Sequence, residues 1–186
     1  MQKKHIITIA GELGSGKSTI ATLLSDILGY EIYRNGEYFR KLAKEKNMSV
    51  KDFNIYVKSH PEIDIQIEKS AKEYAQSHDN LLVDARLGWY VVPESFKIYL
   101  TVDIDVAAKR AFEDESRKET ESFKSIEEQK QDLKERYVLE NERYFKVYGV
   151  HKEDLNNYDF VLNTTKLTPD QVCNKIVDEY TKWLNK

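Results

Sequence analysis

One segment, Gly11-Glu12-Leu13-Gly14-Ser15-Gly16-Lys17-Ser18, constrains this chain more than any other. It matches G-x-x-x-x-G-K-[ST]. An apolar run, His5–Ala10, leads into it, and a helical pattern, Lys17–Leu28, follows it. Glycines let a backbone curl with its N–H groups turned inward, where a side chain would block a ligand. The helix that follows adds its positive end to the same spot. The expected product is a cradle for a polyphosphate tail. Lys17 is placed to reach the outer phosphates and Ser18 to ligate Mg²⁺, with Gly11, Glu12, Leu13, Gly14, Ser15, Gly16 and Thr19 completing the nucleotide-binding stretch. Thr19 also reads as a packing or capping residue.

Five short apolar runs punctuate the chain: His5–Ala10, Tyr30–Tyr33, Leu81–Ala85, Phe96–Val102 and Phe160–Leu162. The first, third and fourth are nearly continuous, as strands covered on both faces are. Helical patterns lie between them at Lys17–Leu28, Glu37–Asn47, Ser49–Val57, Pro61–Ser77, Asp105–Phe112, Ser125–Tyr148 and Thr168–Leu184. Gly29 stops the first, and proline stands in the opening turn of the fourth and the last. Alternation of this kind predicts an α/β fold: a five-stranded parallel sheet with helices on both faces, the three-layer sandwich of phosphate-loop NTPases. The 186 residues suit one domain. Two stretches read as excursions from it. Residues 35–79 form one, and the highly charged stretch 113–135 forms the other, as a solvated helical hairpin or as a lid closing over phosphates.

Composition narrows the possibilities. Hydrophobic residues make up 40% and charged residues 33%, enough to build a core. A net charge of −3 offers no global basic field for nucleic acid or for an anionic membrane. Cys173 is the only cysteine, which excludes an internal disulfide and a cysteine metal cluster and fits a reducing cytoplasm. The first apolar run is too short for a signal peptide, and no stretch approaches the ~20 apolar residues of a membrane span. The expectation is a cytoplasmic monomer.

A phosphate cradle of this type needs a carboxylate at the end of a neighbouring strand to hold Mg²⁺ directly or through water. Asp84, closing Leu81-Leu82-Val83-Asp84, stands where that carboxylate belongs. Arg86 follows from the same carboxyl edge of the sheet, where ligands sit in open α/β folds. Its guanidinium can grip a phosphate with two parallel donors. The bland alternatives are a strand-end cap for Asp84 and a surface ion pair for Arg86.

Together these residues resemble the nucleoside monophosphate kinases, and most closely the short cytidylate kinases of the archaeal type. Gly36-Glu37-Tyr38-Phe39-Arg40-Lys41-Leu42-Ala43-Lys44-Glu45 is similar to that family's G-E-x-F-R-x-L-A-x-E. Asp84-Ala85-Arg86-Leu87-Gly88-Trp89 is similar to [DE]-G-R-L-x-x-W. Tyr148-Gly149-Val150, Asp154-Leu155 and Tyr158-Asp159-Phe160-Val161-Leu162-Asn163-Thr164 resemble its ending, Y-G-I…D-L…Y-D-x-V-I-N-T. The resemblance implies phosphoryl transfer from ATP, with Mg²⁺, to a nucleoside monophosphate, CMP or dCMP foremost. It implies that Gly36, Arg40 and Arg86 hold the acceptor, with Asp159 near the base or the arginines. It implies that Lys17, Arg110, Arg117, Arg136 and Arg143 clamp the transferring phosphoryl. Two anionic nucleotides repel each other, so several arginines from separate segments are what such chemistry needs.

The sequence departs from that family at Arg34, two positions before Gly36, where a small serine is usual. It departs again at Glu113-Asp114-Glu115, where arginines often recur. A long cation at Arg34 would crowd a pyrimidine or add a phosphate contact. A kinase of AMP, UMP or a small metabolite therefore stays open, as does a regulatory nucleotide-binding module with little catalysis. His5, His60, His78 and His151 lack metal spacing and read as structural, and Cys173 reads as packing. Tyr137, Tyr144 and Tyr148 read as the inner stripe of the long helix.

Overall fold

The computed structural model describes residues 4–114 and 123–185. Five strands form one sheet: β1 (Ile6–Gly11), β2 (Glu31–Arg34), β3 (Leu81–Asp84), β4 (Phe96–Thr101) and β5 (Phe160–Asn163), in the order β2-β3-β1-β4-β5. Every pairing is parallel. Parallel neighbours require crossovers, and helices supply them. These are α1 (Lys17–Leu28), α2 (Asn35–Glu45), α3 (Val50–Val57), α4 (Pro61–Ser77), α5 (Gly88–Val91), α6 (Ile104–Glu113), α7 (Ile126–Tyr148) and α8 (Pro169–Leu184).

The continuous apolar runs are continuous because both sheet faces are covered. All six residues of β1 and all four of β3 are buried. Alternate residues serve opposite layers, following the period of two. Ile7 and Ile9 pack with Leu82 and Ile98 against Ile20 and Leu24 of α1 and Val172 and Ile176 of α8. Ile6, Leu81 and Val83 face the other way, onto Ala71 and Ala75 of α4. Two smaller cores lie beyond the sheet. One joins Leu13 to Ala107, Ala108 and Ala111 of α6 and Leu133 of α7. The other joins Ala43, Phe53, Val57, Ile63 and Ile67 of α2, α3 and α4.

Element positions follow the sequence pattern, with three differences. Helix α2 starts at Asn35, directly off β2 and without a loop. The short helix α5 lies inside what reads as a motif rather than as a helix. The described part of 113–135 is less of an excursion than its composition suggests: α7 begins at Ile126, and Leu133 is buried against α6. Arg117 lies outside the described residues, so its expected clamping role has no structural counterpart here. Among the described residues no helix is long and apolar enough to cross a membrane.

Candidate active site

Strand β1 delivers the chain to the carboxyl edge of the sheet at Gly11, and the backbone then curls into α1. The curl depends on positions where only glycine fits. Gly11 has φ 149°, and a Cβ there would lie 2.3 Å from the Leu100 carbonyl oxygen. At Gly14, φ 76°, a Cβ would lie 2.7 Å from the Ala107 carbonyl oxygen. Both contacts are with backbone, which cannot step aside. Gly16 caps α1 in the left-handed region without a side-chain cap, leaving the helix's first N–H groups to the loop. The Glu12 side chain is turned away from this cradle and accepts the Val102 amide at 2.6 Å. The Ser15 hydroxyl closes the curl on the Glu12 carbonyl at 2.8 Å.

Lys17 folds back over the loop, donating to the carbonyls of Gly11 (3.0 Å) and Glu12 (2.9 Å). It is only 7% exposed. Burial pushes its pKa well below the usual lysine value, and the neighbouring Arg86 adds to the effect, against the pull of Asp84 and Glu140. An anion in the cradle would relieve this tension by restoring a partner for the ammonium.

The Ser18 hydroxyl donates to Asp84 Oδ2 at 3.0 Å. The register explains the meeting: β1 and β3 are neighbours with Ile9 opposite Asp84, so the carboxylate emerges beside the loop that follows β1. Two adjacent hard oxygen donors fit Mg²⁺, which keeps several waters and substrate phosphates in its shell rather than an all-protein cage.

A cavity of about 430 Å³ runs from this cradle to a second wall made by α2, α3, α4 and α7. Gly36, Arg40, Arg86, Arg110, Arg136 and Arg143 all line it, as do Ser18, Thr19 and Asp84. Their situations differ. Arg40 is exposed and, among the described residues, makes no ion pair; its guanidinium lies over Gly36. The Nε of Arg86 donates to Glu140 Oε2 at 3.0 Å. Arg110 is held by Thr164, at 3.1 Å to the hydroxyl and 2.9 Å to the carbonyl oxygen. The same Thr164 hydroxyl donates to the Ser15 carbonyl at 3.1 Å, so Arg110 braces the cradle from behind. Arg136 lies 3.8 Å from Asp132. Arg143 is 4% exposed, paired with Asp64 at 2.6 Å and donating to Asn54 Oδ1 at 3.1 Å. Arg143, the expected phosphoryl clamp, thus lines the cavity as a buried cation already held by Asp64 and Asn54.

Asp159 is corrected outright. It precedes β5, at the amino edge of the sheet, opposite the cradle. Its carboxylate accepts the Lys97 amide at 2.8 Å and pairs with Lys97 Nζ at 3.6 Å, so it fastens β5 to β4 and touches no part of the cavity. Arg34 does not crowd the cavity either. It donates to the Thr22 hydroxyl at 2.7 Å and pairs with Glu37 at 3.4 Å.

Several residues in or behind the second wall were given no role by sequence reasoning: Asn35, Asn54, Glu140 and Tyr144 line the cavity, and Asp64, Glu68 and Lys152 stand behind them. Glu140 had a signal, because it shares a helical face with Arg136 and Arg143, four residues after one and three before the other. Asp64 and Glu68 sit one turn apart on α4 and had the same signal. Both are 2% exposed. Burial pushes Asp64 up to about 6 against the pull of Arg143, and burial with the Asp64 charge pushes Glu68 up to about 8.

Comparison with known proteins agrees with this geometry. Residues 6–166 match the cytidylate kinase-like family. A cytidylate kinase of Thermoplasma acidophilum is 37% identical over 171 residues, covering 90% of this chain and 87% of its own. One from Methanobrevibacter smithii is 35% identical over 172 residues, covering 92% and 96%. Among solved structures, a gluconokinase from Sinorhizobium meliloti 1021 aligns over 100% of this chain and 96% of its own with a TM-score of 0.63 at 10% identity. A shikimate kinase from Acinetobacter baumannii aligns over 96% and 94% with a TM-score of 0.60 at 15% identity. At those identities the structural likeness speaks to the fold, that of the phosphate-loop kinases, while the sequence matches carry the assignment: the chain belongs to the cytidylate kinase-like family.

Proposed function

We propose that this chain transfers the terminal phosphoryl group of ATP to CMP or dCMP, giving ADP and the nucleoside diphosphate. The observation that carries the reading is the Ser18–Asp84 contact of 3.0 Å, in a cavity whose far wall presents Arg40 and Arg86. The family's curated members are named for that activity. In the reaction an acceptor phosphate oxygen attacks the γ-phosphorus, the bond from that phosphorus to the β,γ-bridging oxygen breaks, and ADP leaves with the electron pair. The nucleophile is already an anion, so the protein supplies positioning and positive charge rather than a base.

In this reading the amides of residues 11–18 and Lys17 hold the triphosphate. Ser18 and Asp84 hold Mg²⁺, which when bound draws off charge from the phosphate oxygens. Gly36, Arg40 and Arg86 receive the acceptor's phosphate, which makes 35–79 the acceptor segment. Arg110 and Arg136 flank the path between the two phosphates. The stretch 113–135 closes over them to exclude water.

A coupled ADP-release assay with ATP and Mg²⁺ across CMP, dCMP, UMP and AMP tests the assignment. CMP or dCMP should have the highest kcat/KM. No turnover with either would remove it, and preference for AMP or UMP would replace it with another acceptor.

A further inference from the structure

Arg86 is the arginine nearest in sequence to Asp84, yet its orientation is set from a distance. Glu140 Oε2, on α7, takes both Arg86 Nε at 3.0 Å and Lys152 Nζ at 2.7 Å. The carboxylate is 5% exposed and Lys152 also 5%. Burial alone would raise the Glu140 pKa, but Arg86, Lys152 and Arg136 hold it well below the usual carboxylate range. Lys152 is itself fixed: its carbonyl accepts the Tyr158 hydroxyl at 2.6 Å, and its ammonium lies 5.3 Å from the Tyr137 ring centre.

The contact with Glu140 uses the side of the guanidinium. Among the described residues only Nε is engaged, so the forked end, which grips phosphates with two donors, is left toward the cavity that Arg86 lines. A lone carboxylate holding Arg86 would also cancel the charge it positions. Lys152 removes that conflict by meeting the same oxygen from outside the cavity. Burying a lysine against a carboxylate repays little by itself.

We propose that Glu140 and Lys152 are positioning residues for phosphoryl transfer: Glu140 aims the Arg86 fork at the acceptor phosphate, and Lys152 balances Glu140 so that Arg86 keeps its attraction for that phosphate. The inference rests on the kinase reading above and assigns these two residues a task within it.

Steady-state kinetics of the full chain, varying ATP and CMP separately, test it with Glu140→Ala, Lys152→Met and the double variant Glu140→Gln/Lys152→Met. Titration of CMP in the absence of ATP gives a readout independent of turnover. Glu140→Ala, with Arg86 no longer aimed, should lose roughly 10² in kcat while KM for ATP holds. Lys152→Met, which leaves the Glu140 charge to be balanced by Arg86 and Arg136 alone, should weaken CMP binding about tenfold, a 1.4 kcal/mol change. The double variant, with the charge balance restored and an acceptor kept for Nε, should recover most of that loss, so the two changes fail to add.

The inference is overturned if Lys152→Met binds CMP as the wild type does, or if the double variant is worse than the single. It is also overturned if Glu140→Ala raises KM for ATP and CMP in equal proportion, the mark of a merely structural role. Turnover by the wild type with all variants unchanged sinks this inference alone. No turnover by the wild type sinks the reading beneath it as well.

Discussion

The two halves of the cavity are built on opposite principles. The phosphate cradle is one contiguous piece of chain. Eight residues supply its curl, its cation and its hydroxyl, and its donors are backbone N–H groups that cannot be lost by substitution, only obstructed. The acceptor wall is assembled from five elements, α2, α3, α4, α7 and the end of β3, and its donors are side chains held by other side chains. Asp64 grips Arg143, Glu140 grips Arg86 and Lys152, and Asn54 steadies Arg143. Beside them Glu68 lies buried against Asp64, Asn35 and Tyr144 with neither oxygen in good hydrogen-bonding geometry. A backbone cradle is rigid and indifferent to the base above it. A wall of paired side chains can be retuned one residue at a time, which supports the proposal that this half receives the acceptor.

The contrast can be broken most directly at its rigid end. Lys17→Met removes the one cationic side chain of residues 11–18 and should cost roughly 10²–10³ in kcat, with CMP binding in the absence of ATP preserved. If CMP binding fell in step with kcat, the two halves would not be separable.

Arg86→Lys sharpens the other side. It keeps a positive charge but loses both Nε and the fork, so kcat should fall by roughly 10² and KM for the acceptor rise about tenfold while KM for ATP stays put, since an ammonium cannot replace paired donors. Separate titration of the two substrates checks this.

A smaller effect is expected in stability, not rate. Glu68 keeps its proton in the fold up to about pH 8, whereas an unfolded glutamate releases it near its ordinary 4.5. The fold therefore binds more protons than the unfolded chain between those values. The contribution is fully present below the lower pKa and is lost as pH rises through the upper one. Glu68→Gln should flatten that decline and make the variant more stable than the wild type above pH 8, by about 1–3 kcal/mol, because it removes a buried ionising group without a close partner. Thermal melts at pH 6 and pH 9 decide it; equal shifts at both would refute the titration.

The least effect belongs to Asp159. Asp159→Asn should leave both KM values and kcat unchanged and cost at most about 1 kcal/mol of stability, the range of a partly exposed ion pair. A change in acceptor selectivity would return this residue to the acceptor wall, from which its position at the amino edge removes it.

Legibility divides along the same line. The cradle, Asp84 and the sheet could be read because each depends on spacing within a short segment: a glycine every few residues, an apolar run as long as a strand, a carboxylate at its end. The strand-helix alternation then left few topologies open. Arg86 could be singled out by its place just past β3, at the carboxyl edge of the sheet, and Arg40 only through resemblance, since nothing local distinguishes a phosphate-binding arginine from a surface one.

Asp159 shows the limit of that borrowing. The resemblance set it near the ligand, although the strand pattern pointed elsewhere: in an all-parallel sheet a residue just before the run Phe160–Leu162 falls at the amino edge, opposite the loop that follows β1. Arg34 shows the converse: a cation that looked obstructive turns outward to Thr22.

Local pattern was thus sufficient for the fold class and the glycine loop, since hydrogen bonding and hydrophobic period act over a few residues, and the parallel strand neighbours it implies bring Asp84 beside Ser18 across 66 positions. The ion-pair wall was decided by folding alone. Arg86 meets Glu140 across 54 positions and Arg143 meets Asn54 across 89. Which charges become buried together depends on how α4 and α7 pack, a property of the whole assembly that no window of sequence contains.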